Sequence, residues 1–188
     1  TTPMYDAVGN YTVLDPVGSL GRNPMALIYD REENIENFFA NVAGGARYEF
    51  SKHLSLSVDF FLDYLNQQVK NFNGNYASNF NPSASVAASK QITLQNTNTL
   101  SYKRTFNEMH NLDIVGVFEA QRFTGNYLTA TATGLKFPSL KYDNLGQAGS
   151  FNIGSSFSKW TLGSLLGRIN YSFRNKYLVS ASVRRDGS

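Results

Sequence analysis

Two histidines, His53 and His110, are the only imidazoles in a chain of 188 residues that contains no cysteine. An imidazole does general acid–base work or holds a metal only when a carboxylate, a hydroxyl or further ligands stand near it. Each of these histidines falls in a short polar break with no His, Cys or carboxylate at ligand spacing, so both are expected to be solvated turn residues. The missing cysteines remove disulfides, thiolate nucleophiles and cysteine metal sites. Serines are plentiful, but no G-x-S-x-G elbow occurs. Gly146 and Gly149 in "GQAGSF" lack the strand before and the helix after that a phosphate-binding loop requires. The run Asp30-Arg31-Glu32-Glu33 reads as a solvated loop. No enzyme chemistry, metal or cofactor is expected.

The charges that remain for a site are spaced differently. Arg47, Asp59, Asp63, Asp113, Glu119, Arg168 and Arg184 each lie in a segment of period two. Along Phe38 to Phe50, the residues Phe38, Ala40, Val42, Gly44, Ala46, Tyr48 and Phe50 share one face. Arg47 falls on the other face, with Asn41 and Glu49. Along Leu54 to Tyr64, Leu54, Leu56, Val58, Phe60, Leu62 and Tyr64 oppose Ser55, Ser57, Asp59, Phe61 and Asp63. Such alternation marks a strand with one apolar and one polar side. Leu112, Ile114 and Phe118 alternate with Asp113 and Glu119. Leu165, Gly167, Ile169, Tyr171 and Phe173 oppose Arg168 and Asn170, and Tyr177, Val179, Ala181 and Val183 oppose Ser182 and Arg184. The seven charges are thus expected on a polar face.

These segments form three hairpins, at 38–65, 99–120 and 161–188. Between them lie stretches without sustained periodicity, at 66–98 and 121–160, and a further one at 1–37. They are rich in Asn, Ser, Gly and Thr, with Pro-containing breaks. Loops this long count against an ordinary compact domain. One architecture has this asymmetry: an outer-membrane β-barrel, with short periplasmic turns, long extracellular loops, an apolar lipid face and a polar lumen. Aromatics fit the same picture. Tyr48 and Phe50, Tyr102 and Phe106, and Tyr171, Phe173 and Tyr177 flank the three short turns, as an interfacial girdle would. Tyr76, Phe123, Tyr127 and Trp160 are then loop aromatics, free to stack on a sugar ring or against a lid. Six strands are fewer than the roughly eight of the smallest membrane barrels, and an open sheet in lipid leaves backbone groups unpaired. The chain is therefore expected to be part of a larger barrel whose last strand runs past Ser188.

Composition agrees. Only 16% of residues are charged and 14% are aromatic, a bias toward strands rather than helices. The net charge is +3, but Lys and Arg are scattered, which argues against nucleic acid as a partner. No apolar run reaches the length of a membrane helix, and the first ten residues lack the pattern of a signal peptide. A secreted soluble β-sandwich, serving as an adhesin or carbohydrate-binding module, is the competing architecture. A barrel hydrolase would need a histidine placed beside Ser or Asp, and neither histidine is so placed.

The stretch "LGRINYSFRNKYLVSASVRRDGS", Leu166 to Ser188, resembles SusC/RagA-type TonB-dependent outer-membrane transporters. The matching positions are Gly167, Arg168, Asn170, Tyr171, Ser172, Phe173, Tyr177, Leu178, Ala181, Ser182, Arg184, Asp186, Gly187 and Ser188. A weaker resemblance extends over Leu100 to Ala120. The resemblance implies a bacterial outer-membrane barrel of about 22 strands that imports oligosaccharides or peptides. It implies a SusD-like surface lipoprotein over the extracellular mouth, and energy from the TonB complex. No residues here match that family's plug or its TonB-contacting segment.

Overall fold

The structure is a computed structural model and describes residues 7–9 and 24–188. A short helix, α1 (Pro24–Tyr29), precedes six strands: β1 (Arg31–Glu49), β2 (Leu54–Asn73), β3 (Ser83–Phe106), β4 (His110–Leu135), β5 (Ala148–Phe173) and β6 (Tyr177–Gly187). They form one antiparallel sheet in the order β1-β2-β3-β4-β5-β6, each strand hydrogen-bonded to its neighbours in sequence. No helix among the described residues is long and apolar enough to cross a membrane, which leaves crossing by strands open.

The strands are longer than the alternation suggests. β3 has 24 residues and β4 and β5 have 26 each, about twice the 9–11 that span a bilayer. Residues 66–73, 83–98, 121–135 and 148–160, expected to be loop, are strand. So is the segment from Arg31 to Asn37, and α1 occupies part of the expected 1–37 loop; residues 1–6 and 10–23 of that loop lie outside the described residues. The physical reason is that period two reports a contrast between two environments. Where neither face is consistently apolar the side-chain contrast disappears, while the backbone ladder needs no such contrast to continue. The irregular connections shrink to 74–82 and 136–147, still longer than the turns 50–53, 107–109 and 174–176.

Two of the short turns share one chemistry. Met109 N–H donates to the Phe106 carbonyl, with Asn107 and Glu108 both at positive φ (49° and 54°). Lys176 N–H donates to the Phe173 carbonyl, with Arg174 and Asn175 at 49° and 52°. Positive φ at both central residues is the type I′ turn, whose twist suits a two-residue hairpin. Asn tolerates that region, but Glu108 and Arg174 hold it at a cost of roughly 1–2 kcal/mol each. Glu108→Gly is therefore expected to raise stability by up to about 1 kcal/mol, read as a shift of the unfolding midpoint in detergent.

The described chain divides into two compact units. One holds the chain up to Phe38, with Asn66–Lys90 and Asn126–Ser156. The other holds Phe39–Leu65, Gln91–Gly125 and Phe157–Ser188. The first unit carries the small buried core. Phe72, Ala84, Ala132 and Leu135 form it, with Tyr142, Leu145 and Ala148 packed against them. The 136–147 connection, with two 3₁₀ turns at Pro138–Leu140 and Leu145–Gln147, thus lies over strand residues. It is also clasped electrostatically. Lys141 Nζ and the Tyr142 hydroxyl both donate to the Glu32 carboxylate at the start of β1, and Lys70 sits 5.7 Å from the Tyr142 ring centre. The Lys141 and Tyr142 hydrogen bonds hold the Glu32 carboxyl below its ordinary 4.5, while the same carboxylate raises Lys141 and Tyr142.

The Glu32 contribution is present above its ordinary value and is lost as pH falls through the lowered one. The Lys141 and Tyr142 contributions are present below their ordinary 10.5 and 10.0 and are lost as pH rises through the raised values. Protection of the 136–147 amides, with exchange rates corrected for the intrinsic effect of pH, should therefore be weaker at about pH 3 than at about pH 7. Glu32→Gln should leave protection weak at both. An acid dependence unchanged by Glu32→Gln would refute the clasp.

Candidate functional site

The second unit carries the seven charges singled out above. Which side of the sheet they occupy follows from contacts between side chains on neighbouring strands. The Asn41 amide, with its nitrogen toward β2, donates to Asp63 Oδ1 at 2.7 Å. A Cβ placed on Gly45 would collide with the Asp59 carboxylate. Asn41, Gly45, Asp59 and Asp63 therefore share a face. On β3 and β4, Gln95 Nε2 and Thr97 Oγ1 donate to Glu119 Oε2 at 3.0 and 3.4 Å, and Lys103 pairs with Asp113 at 3.3 Å. On β5 and β6, Leu166 stands opposite Arg184 and Arg168 opposite Ser182. Arg184 donates to Asp186 at 2.9 Å and to Ser164 at 3.3 Å. Arg47 reaches Ser55 at 3.1 Å and Glu49 at 3.6 Å.

Six of the seven, all but Asp59, have a polar side-chain partner on the same face, Arg168 through Asn170 at 3.2 Å. Such charges are held in place rather than presented singly. A bound polar solute competes with an existing partner for each hydrogen bond, so the net gain per contact is modest. Exposed pairs of this kind contribute about 0–1 kcal/mol each to stability. Their main effect is to keep this side wet.

The aromatic candidates divide. Tyr76 lies in the 74–82 connection, with its ring centre 5.9 Å from that of Phe80. Phe123, Tyr127 and Trp160 are not loop residues: the first two are in β4 and the third in β5. Their segments read as loop because the Gly, Thr and Ser around them hide the strand pattern. Phe123 and Trp160 stack across the two strands at 5.3 Å and 14°. Four residues from Glu119 on β4 and from Ser164 on β5 respectively in the strand pleat, they join the polar face and add a flat apolar plate to it.

The opposite face is apolar and open. Val42, Tyr48, Phe50, Phe60, Leu165, Val179 and Val183 are all more than half exposed. Near the short turns it carries the expected aromatics in contact. Tyr48 and Phe50 meet edge to face at 4.9 Å, and Phe173 stacks on Tyr177 at 6.4 Å. Cations sit over the same rings: Arg104 over Phe106, Arg174 over Phe173 and Lys176 over Tyr177. Long basic side chains that lie on aromatics with their heads toward water suit a membrane–water boundary.

His110 belongs to this belt and corrects the expectation of a solvated turn residue. It begins β4, is half-buried, contacts the Phe173 ring at 4.9 Å and pairs through Nδ1 with the Tyr171 hydroxyl at 2.7 Å. Sixty-odd residues separate it from those partners in sequence, so no local pattern announced them. His53 is exposed, and its Nδ1 lies 3.0 Å from the Lys103 carbonyl.

No family model matches the chain. Three proteins of Formosa agariphila, named TonB-dependent receptors P39, P26 and P3, are 25%, 26% and 29% identical to it, over 88%, 100% and 98% of the chain. The chain spans only about a fifth of their length: 16%, 20% and 19%. Among solved structures, the RagAB peptide transporter superposes with a TM-score of 0.82 over 95% of this chain and 21% of its own, at 22% identity. The RagAB peptide importer in the "open-open" state gives 0.78 over the same shares. At that identity the structures show a shared fold. The curated relatives are receptors rather than enzymes, in keeping with the chemistry missing from the sequence. Fold and sequence similarity thus agree along nearly the whole chain, which is similar to a segment of TonB-dependent receptors and shares its fold with part of the RagAB structures.

Proposed function

We propose that the chain forms wall and lumen lining of an outer-membrane importer, with its apolar face in lipid and its polar face toward the transport path. The observation that supports this is the division of one sheet into an open apolar face rimmed by aromatics and cations, and a face of paired charges. A soluble β-sandwich would bury the apolar face against a second sheet; the described strands form one sheet. The cargo is a peptide or an oligosaccharide, entering under a SusD-like surface lipoprotein and driven by the TonB complex through parts of the protein outside this chain. The two RagAB structures named for peptide transport favour a peptide.

Single cysteines test the orientation, since the chain has none of its own. In outer membranes holding the whole protein, Asp59→Cys should react with a water-soluble maleimide and Leu56→Cys should not. Equal labelling of both would sink the reading. Within the lumen, the Phe123–Trp160 plate is the apolar contact offered to cargo. Trp160→Ala should weaken cargo retention by about threefold to tenfold, the worth of one aromatic contact, with unchanged abundance in the membrane.

A further inference from the structure

The apolar face of the second unit is not evenly filled. A groove of about 720 Å³ opens on it, walled by Val42, Phe60, Leu62, Leu94 and Ala120. Its depth comes from small residues, Gly44 and Ala46 on β1 and Ala120 on β4, where strands otherwise favour large or branched side chains. Internal packing does not demand the glycine: a Cβ on Gly44 would meet nothing within 4 Å. The space is therefore left to something outside the chain. Its size is that of a small-molecule site, and its walls are suited to hydrocarbon.

One end of the groove is cationic. Arg122 and Thr161 line it. Lys159 is two residues from Thr161 on the same strand and face, about 7 Å along β5. Arg122 and Lys159 are both exposed, and neither side chain has a hydrogen bond or ion pair among the described residues. Arg122 lies twelve residues beyond His110 along β4, about one bilayer-spanning length from the aromatic belt. The two cations therefore stand at the opposite membrane boundary, where lipid phosphates lie, above a groove that runs into the apolar band.

We propose that this groove holds an acyl chain of a phosphate-bearing lipid of the outer leaflet, with Arg122 and Lys159 on its phosphate. The inference rests on the membrane reading above. The same two cations would attract free inorganic phosphate, but only a lipid also fills the groove.

The test uses the whole protein in nanodiscs of phosphatidylcholine doped with lipid A, a phosphorylated and multiply acylated glucosamine lipid, and native mass spectrometry of the released complex. Wild type is expected to retain lipid A. Arg122→Ala with Lys159→Ala should retain about thirtyfold less, since each basic residue near an anionic surface contributes about fivefold. Gly44→Leu fills the groove without touching the charges and should lower retention as well. Retention by either variant equal to wild type overturns the inference. So does equal retention of phosphate-free lipid A, or displacement of lipid A by inorganic phosphate at matched concentration. Entry into nanodiscs without lipid A retention overturns this inference alone. Failure to enter them overturns the membrane reading and this inference together.

Discussion

Phe60→Arg is expected to destabilise the folded protein in a bilayer by about 2–4 kcal/mol, while Phe61→Arg costs under about 1 kcal/mol. The two positions are neighbours of the same type in β2 and differ in the face they occupy. Phe60 is 62% exposed on the apolar side. An arginine there must either strip its guanidinium of water or drag water into hydrocarbon, and that is the origin of the larger figure. Phe61 is 37% exposed and stands on the face that holds Asp59 and Asp63. There the arginine head stays hydrated, and its stem replaces part of the lost ring contact. Urea unfolding of the whole protein from lipid vesicles measures both. Equal costs at the two positions would show that neither face meets lipid, and the orientation proposed for the sheet would fall with it. Because the two substitutions are chemically identical and adjacent, strand propensity and unfolded-state effects largely cancel in the comparison.

Gly74→Val is expected to cost about 1–3 kcal/mol, the usual penalty for overfilling a packed place. Gly74 begins the 74–82 connection and donates its N–H to the Asp30 carbonyl at 2.8 Å. A Cβ at this position would run into the Asp30 carboxylate. That carboxylate is not free to swing away without loss, because its Oδ2 accepts the Ala77 N–H at 2.8 Å. Ser78 N–H in turn bonds the Gly74 carbonyl at 3.1 Å. A side chain at 74 therefore either breaks the Asp30–Ala77 bond or shifts the turn that follows. Protease sensitivity confined to 74–82, together with a lower unfolding midpoint, would confirm this. Asp30→Ala with Gly74→Val should cost less than the two single changes summed, since removing the carboxylate removes the collision. Additive costs would place the strain elsewhere.

The extent of the strands shows where a sequence reading stops. In Leu54 to Tyr64 every second residue is apolar, so one face contrasts with the other and the strand is plain. In Asn66 to Asn73 the same strand continues, yet Asn66, Gln68 and Lys70 now stand where Leu and Phe stood. The ladder is held by backbone groups common to all residues, so composition carries no trace of it. Phe123 and Trp160 read as loop residues for the same reason. Their stacking joins residues far apart in sequence and depends on the β4–β5 register. His110 is a similar case. Its partners Tyr171 and Phe173 are named in the sequence, but only the sheet order brings them beside it.

Some properties needed no coordinates. The absence of cysteine removes disulfides, thiolate nucleophiles and cysteine metal sites from this chain. The alternation in three hairpins sets the two faces, and with them the side on which Arg47, Asp59, Asp63, Asp113, Glu119, Arg168 and Arg184 lie. These are local features: side-chain direction in a strand reverses at each residue, so a short window suffices to assign it. Tertiary structure alone decided the pairing of those charges, the clasp of 136–147 by Glu32, and the groove beside Gly44. Each depends on which strands are neighbours and at what register, and that is settled by contacts between residues distant along the chain.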